Sequence, residues 1–121
     1  MKNILVVDDN KDITDMVKEM LELLGHTCST VNSGQDCLGM LHSNSFDLVL
    51  LDVAMPVVTG IDVIKKIRED NTLNHNKVVF FTASSITDSE MEDLKRYGAL
   101  DCLRKPINIG KLHDLIEKYL N

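Results

Sequence analysis

The sequence predicts an α/β domain built on a parallel β-sheet that helices cover on both faces. Three apolar runs, Ile4–Val7, Leu48–Leu51 and Val78–Phe81, are uninterrupted, as is typical of strands buried on both sides. Segments with helical periodicity separate these runs, so that strands and helices alternate along the chain. Strict alternation at these lengths favours right-handed βαβ units and therefore a parallel sheet.

Length and composition favour a small, acidic protein domain. The chain has 121 residues, enough for one hydrophobic core and too few for two, so we expect residues 1–121 to form a single domain. The net charge is −6 and no basic run occurs, so a nucleic-acid surface is not expected. No apolar segment approaches the ~20 residues that span a bilayer, so membrane insertion is not expected. No signal peptide follows Met1, which favours the cytoplasm.

The three cysteines show no metal-binding pattern. Cys28, Cys37 and Cys102 are widely separated in the sequence and form no paired spacing of the kind that binds zinc. An odd number of cysteines in a protein expected in the cytoplasm favours free, partly buried thiols over disulfides.

The first two helices are marked by caps and by apolar stripes. Asn10 is placed to cap a helix that runs to Leu24, and Gly25 is suited to end it. Its apolar residues follow the i, i+3, i+4, i+7 rule: Ile13, Met16, Val17, Met20, Leu21 and Leu24. Thr27–Val31 is predicted to be a short strand. Ser33 and Asp36 then have the spacing of a capping box, which begins a helix with three inner residues: Cys37, Leu38 and Leu41.

The third helix follows the central apolar run Leu48–Leu51. Thr59 and Asp62 form a second predicted capping box, and the helix that they begin runs to about Asp70. The polar segment Asn71–Asn76 is predicted to be a loop that leads into the apolar run at Val78–Phe81.

The last two helices differ in their apolar content. Thr87 and Glu90 form a third predicted capping box, which begins a helix poor in apolar residues that runs to Tyr97 and is ended by Gly98. Asp101–Leu103 is a short predicted strand. The final helix has a clear inner stripe: Leu112, Leu115, Ile116, Tyr119 and Leu120.

Polar residues stand where four of the predicted strands end. They are Asp8 and Asp9, Asp52, Thr82, and Lys105. The carboxyl ends of parallel strands share one edge of a sheet, so these side chains converge if the four strands are neighbours. Three adjacent carboxylates repel one another unless a cation lies between them, and oxygen ligands suit Mg²⁺ or Mn²⁺.

The remaining residues of this group indicate an anion beside the cation. A lysine is a compact charge suited to a phosphoryl oxygen, and the hydroxyl of Thr82 can donate to another. Neither a histidine nor a cysteine stands at a strand end, which leaves the carboxylate of Asp52 as the candidate nucleophile.

The motifs VVDDN, LLDVAMPVVTG, FTAS and RKP, in this order and spacing, resemble the receiver domain of two-component response regulators. The resemblance extends over the whole chain. It implies a flavodoxin-like three-layer (βα)5 sandwich with a parallel five-stranded sheet of order 2-1-3-4-5. It further implies that residues 1–121 are one receiver domain.

The resemblance also implies a role for each acidic residue. Asp52 would be the phosphoacceptor, taking a phosphoryl group from the phosphohistidine of a histidine kinase or phosphotransfer protein. Asp9, Asp52 and the backbone carbonyl of Ala54 would ligate Mg²⁺, and Asp8 would act mainly through a bound water. Mn²⁺ is an alternative to Mg²⁺ at such a site.

The same resemblance implies a signalling switch rather than an enzyme with an external substrate. Thr82 and Lys105 would bind the phosphoryl group, Thr82 moving toward it on activation, and a cis peptide would precede Pro106. The domain would catalyse only its own phosphorylation and dephosphorylation. A downstream protein would bind the face formed by Thr87–Lys118.

One position departs from the family pattern. Three residues before Lys105 the family usually has a tyrosine or phenylalanine, whose ring moves inward when the threonine moves. This chain has Cys102 there. A small thiol cannot transmit the switch by burying a ring. The family pattern therefore does not predict how phosphorylation at the acceptor site changes the binding face.

Two other functions fit less well. A Mg²⁺-dependent phosphohydrolase resembling the haloacid dehalogenase family needs a second acid two residues after the nucleophile, where this chain has Ala54. A flavin-binding module of similar fold would place a phosphate at the first strand–helix turn. Here that turn carries Asp8 and Asp9 and has no glycine, so it would repel the phosphate.

Overall fold

The computed structural model describes residues 1–120, which form five strands and five helices in strict alternation. In chain order they are β1 Asn3–Val7, α1 Lys11–Leu23, β2 Thr27–Val31, α2 Gly34–Ser43, β3 Leu48–Asp52, α3 Gly60–Glu69, β4 Val78–Thr82, α4 Asp88–Lys95, β5 Asp101–Arg104 and α5 Ile109–Tyr119. The predicted number, type and order of elements are confirmed.

The five strands form one parallel sheet in the order β2-β1-β3-β4-β5. The three uninterrupted apolar runs are the three central strands β1, β3 and β4, and every residue of β3 and β4 is buried. This confirms the α/β fold, the parallel sheet and the strand order 2-1-3-4-5.

Alternating residues of the strands divide the core into two halves. Leu5, Val49 and Phe80 lie in one half, together with residues of α2, α3 and α4. Their chain neighbours Ile4 and Leu48 lie in the other half, with residues of α1 and α5. Each half combines one face of the pleated sheet with the apolar stripes of the helices that cover it, which makes the three-layer sandwich.

Most of the predicted helix starts are formed as expected. Asn10 Oδ1 accepts a hydrogen bond from the amide of Asp12 at 2.9 Å. The boxes at Thr59 and at Thr87 are both complete, with reciprocal hydrogen bonds between side chain and backbone. Ser33 accepts from the amide of Asp36, but within residues 1–120 no return bond from the Ser33 amide to the Asp36 carboxylate is found, so this box is half formed.

Several predicted details are corrected. Helix α4 ends at Lys95 rather than at Tyr97, because the amide of Arg96 is shared between the carbonyls of Glu92 and Asp93 and the last turn tightens. Gly98 has φ +106°, so it reverses the chain after this turn as expected. Met16, predicted on the inner stripe of α1, is 37% exposed and does not belong to the core.

Two other expectations concern cysteines and membrane segments. All three thiols are free and buried, and burial raises the pKa of Cys37 to about 12 and of Cys28 and Cys102 to about 11. Such thiols are largely unreactive at neutral pH.

Among the described helices, none has the length and apolar character needed to cross a bilayer.

Candidate functional site

The structure brings the predicted site residues to one edge of the sheet. Asp8 directly follows β1, Asp52 is the last residue of β3, Thr82 is the last residue of β4, and Lys105 directly follows β5. These four strands are consecutive neighbours in the sheet, so their carboxyl ends lie side by side. The convergence inferred from strand-end positions is therefore seen in the structure.

Three carboxylates form the centre of this site. Asp8, Asp9 and Asp52 each offer an oxygen atom, and these three atoms lie within 4.8 Å of one another. Asp8 and Asp52 are 1% and 3% exposed, whereas Asp9 is exposed. The cluster thus has two buried members and one member that faces the solvent.

Lys105 is the cation closest to the buried pair. Its ammonium nitrogen lies 2.9 Å from Asp8 Oδ2 and 3.5 Å from Asp52 Oδ1. Its backbone amide donates to the carbonyl of Thr82 at 2.7 Å, and the peptide bond to Pro106 is cis. Burial lowers the pKa of Lys105, but contact with Asp8 and the charge of Asp52 together raise it above its usual value. Lys105 therefore stays charged.

The carboxyl group of Asp52 has a raised pKa. Burial is the main cause, the charge of Asp8 adds to it, and Lys105 and the amide of Ala54 oppose it, which together bring the pKa to about 6. The Ala54 amide lies 3.4 Å from Asp52 Oδ1. One lysine does not balance the carboxylates of this site, so a further positive charge would favour the ionised form of Asp52.

The donor set fits a hard divalent cation. Oδ2 of Asp8 is buried, and the ammonium of Lys105 is its partner among residues 1–120. Its other oxygen, Oδ1, accepts from the amide of Asn10 at 2.9 Å. An oxygen-only cluster of three carboxylates, with one lysine against its buried pair, matches the ligand preferences of Mg²⁺.

Thr82 supplies a hydroxyl group at the end of β4, the strand next to the one that carries Asp52. The residue is 6% exposed, and no hydrogen bond from its hydroxyl is found among residues 1–120. The group is therefore free to bind a ligand. Ala54, whose carbonyl is a predicted metal ligand, is exposed and lies in the segment after β3.

Two supporting residues were missed in the sequence. Asn32 Nδ2 donates to the carbonyl of Asp8 at 2.8 Å and to Thr14 Oγ1 at 3.1 Å. Thr14 is 1% exposed and lies at a helix position shared with Val17 and Leu21. A threonine on the buried face of an otherwise apolar stripe was the available signal, since a buried hydroxyl requires a polar partner.

A mainly apolar groove of about 340 Å³ adjoins the site. Its lining joins the start of α1 to the segment after β5: Ile13, Met16, Ser84, Lys105, Pro106 and Ile107. The exposure of Met16 has its explanation here, because the side chain forms part of this groove rather than of the core.

Comparisons with known proteins agree with this geometry. The sequence model described as response regulator receiver domain matches residues 4–117. The polar-differentiation response regulator DivK of Brucella ovis is 28% identical over 119 residues, covering 98% of this chain and 96% of the relative. The chemotaxis protein CheY4 of Vibrio cholerae is 27% identical, with a TM-score of 0.89 and 98% of each chain covered.

A third relative carries a ligand in its solved structure. The response regulator protein TrrA of Thermotoga maritima, solved in complex with Mg²⁺-BeF, is 31% identical, has a TM-score of 0.84, and is matched over 98% of this chain and 99% of its own. The family match, the strand order and the acidic cluster at the carboxyl edge of the sheet agree with one another. The chain therefore belongs to the response regulator receiver domains, the phosphoacceptor modules of two-component signalling.

Proposed function

We propose that Asp52 is the phosphoacceptor of this receiver domain. The observation that carries this proposal is the position of its carboxylate, which is buried at the end of β3, 3.5 Å from the ammonium of Lys105 and clustered with the carboxylates of Asp8 and Asp9. An oxygen of Asp52 would attack the phosphorus of a phosphohistidine on a histidine kinase or phosphotransfer protein. The P–N bond breaks, the imidazole leaves with its electron pair, and an acyl phosphate forms.

The cation site follows from the same cluster. Asp9, Asp52 and the backbone carbonyl of Ala54 would hold Mg²⁺, with Asp8 acting through a bound water. When bound, the ion would neutralise charge on the phosphoryl oxygens and hold them in place. Support comes from the oxygen-only donor set and from the Mg²⁺-BeF complex of the TrrA relative.

Lys105 and Thr82 would bind the phosphoryl group itself. The ammonium of Lys105 already contacts both buried carboxylates and would pair with a phosphoryl oxygen once Asp52 is modified. The Thr82 hydroxyl has no other partner among residues 1–120 and would donate to a second oxygen. Phosphoryl transfer depends mainly on positioning and charge neutralisation, which these groups supply.

In this proposal the domain has no external substrate. It catalyses its own phosphorylation and hydrolysis, and the acyl phosphate changes the binding of a downstream protein. A phosphohydrolase acting on other molecules is disfavoured because the residue two positions after Asp52 is Ala54, whose methyl group cannot act as an acid or base.

The downstream partner would bind the face formed by Thr87–Lys118. Helix α4 within this face buries only Leu94, so it can shift with little loss of apolar contact. We propose in addition that residues 1–121 act as one receiver domain in the cytoplasm, which the family match over residues 4–117 supports.

Acetyl phosphate tests the acceptor without the partner kinase. Incubation of the protein with acetyl phosphate and Mg²⁺ is expected to add one phosphoryl group that is acid-stable and base-labile, detected by intact mass. Asp52→Asn and excess EDTA are each expected to abolish the gain. An unmodified wild-type protein, or a fully modified Asp52→Asn variant, would contradict the proposal.

Amide hydrogen exchange tests the output face. With Mg²⁺ and beryllium fluoride as a phosphate mimic, exchange is expected to change across Thr87–Lys118. Exchange in α2, which lies outside the proposed face, serves as the internal control and is expected to stay constant. A response confined to the acceptor loops would contradict the proposed face.

A further inference from the structure

Arg104, the last residue of β5, holds the segment that joins β4 to α4. Its Nε atom donates to the backbone carbonyl of Ile86 at 3.2 Å, and its Nη2 atom donates to Asp88 Oδ1 at 2.6 Å. Ile86 lies in the β4–α4 loop and Asp88 is the first residue of α4. We call these two contacts the Arg104 clamp.

The clamp lies on the side of the sheet where the family's aromatic ring is missing. Side chains alternate along a strand, so Arg104 and Cys102 face one side and Leu103 faces the other. Cys102 belongs to the half of the core that contains Leu94 of α4, and Ile86 packs against that half. The β4–α4 loop thus packs on the same half of the core as the small Cys102 thiol, and the guanidinium group of Arg104 holds this loop through Ile86.

The base of the clamp is connected to the acceptor site. Arg104 is paired with Thr82 in the register of β4 and β5, and the next amide, that of Lys105, donates to the Thr82 carbonyl. Lys105 in turn contacts Asp8 and Asp52. Two consecutive cations at the end of β5 therefore have different partners. Lys105 contacts the buried carboxylates, and Arg104 contacts the start of α4.

We propose that the Arg104 clamp is the switch element that Cys102 does not provide, an inference that rests on phosphorylation of Asp52. The loop that begins after Thr82 is pinned at Ile86 and Asp88. Movement of Thr82 toward a phosphoryl group draws this loop away from Arg104, so the clamp opposes activation and opens with it. Opening frees the start of α4 on the output face.

Linkage gives the expected sign and size of the effect. Weakening a contact made only in the inactive state tightens the binding of a ligand that selects the active state, by at most the energy of that contact. The Asp88 side chain is 94% exposed and that of Arg104 is 37% exposed, so the pair is weak. We expect its loss to tighten binding of a phosphate mimic about two- to fivefold.

Calorimetric titration with beryllium fluoride in excess Mg²⁺ measures this directly. Asp88→Asn and Arg104→Gln are expected to bind two- to fivefold more tightly than the wild type, and Arg104→Lys, which keeps the positive charge on a single nitrogen, to fall between. Asp93→Asn is the matched control. Asp93 also pairs with an arginine, Arg96, which directly follows α4, at 3.1 Å, and Asp93→Asn changes the net charge by the same amount as Asp88→Asn. This control is expected to bind as the wild type does.

The outcomes separate this inference from the function on which it rests. A wild-type protein that does not bind the mimic would contradict the proposed function and the clamp together. A wild type that binds, with Asp88→Asn and Arg104→Gln equal to it or weaker, would contradict the clamp alone. Amide exchange over residues 83–88 gives a second readout. The mimic is expected to raise exchange there in the wild type, whereas in Arg104→Gln exchange is expected to be high without it.

Discussion

The backbone of Gly60 lies so close to Asp52 that a Cβ atom on Gly60 would overlap the Asp52 carbonyl oxygen. The same Cβ would stand 2.8 Å from the Cα atom of Val53. In addition, the Gly60 amide donates to the Val53 carbonyl at 2.9 Å. The first residue of α3 is thus set directly against the strand end that carries the acceptor carboxylate.

Replacing Gly60 with alanine is expected to destabilise the domain by about 1–3 kcal/mol, because backbone atoms must shift to admit the methyl group. Urea unfolding measures this. The matched control is Gly39→Ala in the middle of α2, where a Cβ meets nothing within 4 Å. That control is expected to gain about 0.5–1 kcal/mol from helix propensity. Equal stability changes at the two glycines would show that the contact with Asp52 is unimportant.

The buried charge of Asp52 predicts a stability that depends on pH. Because its pKa is raised to about 6, the folded domain retains a proton on Asp52 at pH values where the unfolded chain has lost it. The free energy of unfolding therefore falls as the pH rises from the ordinary carboxyl pKa to about 6. Asp52→Asn has no carboxyl group to ionise at this position, so its free energy of unfolding does not fall in this pH range. In EDTA at pH 8 we expect this variant to be more stable than the wild type by on the order of 2 kcal/mol.

Urea unfolding at pH 4 and pH 8 in EDTA checks this expectation. The difference between Asp52→Asn and the wild type is expected to be much smaller at pH 4. Gln35→Ala, at an exposed and uncharged residue of α2, is the control and is expected to change stability equally at both pH values. Added Mg²⁺ at pH 8 is expected to stabilise the wild type more than Asp52→Asn. A variant less stable than the wild type at pH 8 in EDTA would contradict the raised pKa.

Val57 has an unfavourable backbone conformation beside the site. Its φ angle is +66° and its side chain is 89% exposed, so a β-branched residue occupies the left-handed region without burial in return. Val57→Asn is expected to raise the free energy of unfolding by about 0.5–1 kcal/mol, since asparagine tolerates this region. Val57→Thr keeps the branched Cβ and is expected to match the wild type. A stabilised threonine variant would mean that strain is not the cause.

Arg68 connects α3 to two loops, the one between α3 and β4 and the one between α4 and β5. Its Nη1 atom donates to the carbonyls of Asn74 and Asn76, and its Nη2 atom donates to the carbonyl of Gly98 at 2.7 Å. Arg68→Ala is expected to lower stability by about 2–3 kcal/mol and to speed amide exchange around Gly98.

Two further variants test this assignment. Arg68→Lys is expected to recover only part of the loss, because an ammonium lacks the planar fork that reaches separate carbonyls. Lys66→Ala, at an exposed residue of the same helix, is expected to change stability by less than about 0.5 kcal/mol. Full recovery in the lysine variant would argue against the forked contact.

The strands and the acceptor site could be predicted because each depends on a local pattern. Leu48–Leu51 is apolar without interruption, which marks a central strand, and Asp52 directly follows it. Parallel strands then place Asp52 and Lys105 at one edge, whatever the intervening helices contain. The position of the two charged groups follows from topology rather than from the details of packing.

The contacts of long polar side chains could not be predicted in this way. Periodicity shows which face of an element is buried, but not which loop an arginine at a strand end will reach. Arg104 and Lys105 are adjacent cations in the sequence, and only the structure shows that one contacts Asp88 and the other contacts Asp8. Met16 shows the same limit for apolar residues, because its position satisfies the helical rule and yet the side chain lies in a groove.

The central claim is that Asp52, and neither of its acidic neighbours, accepts the phosphoryl group. Borohydride reduction of the acetyl-phosphate-treated protein converts an aspartyl phosphate to homoserine, and peptide mass mapping locates it. We expect homoserine at position 52 in the wild type and at no position in Asp52→Asn. Homoserine at Asp8 or Asp9, or none in the wild type, would contradict the claim.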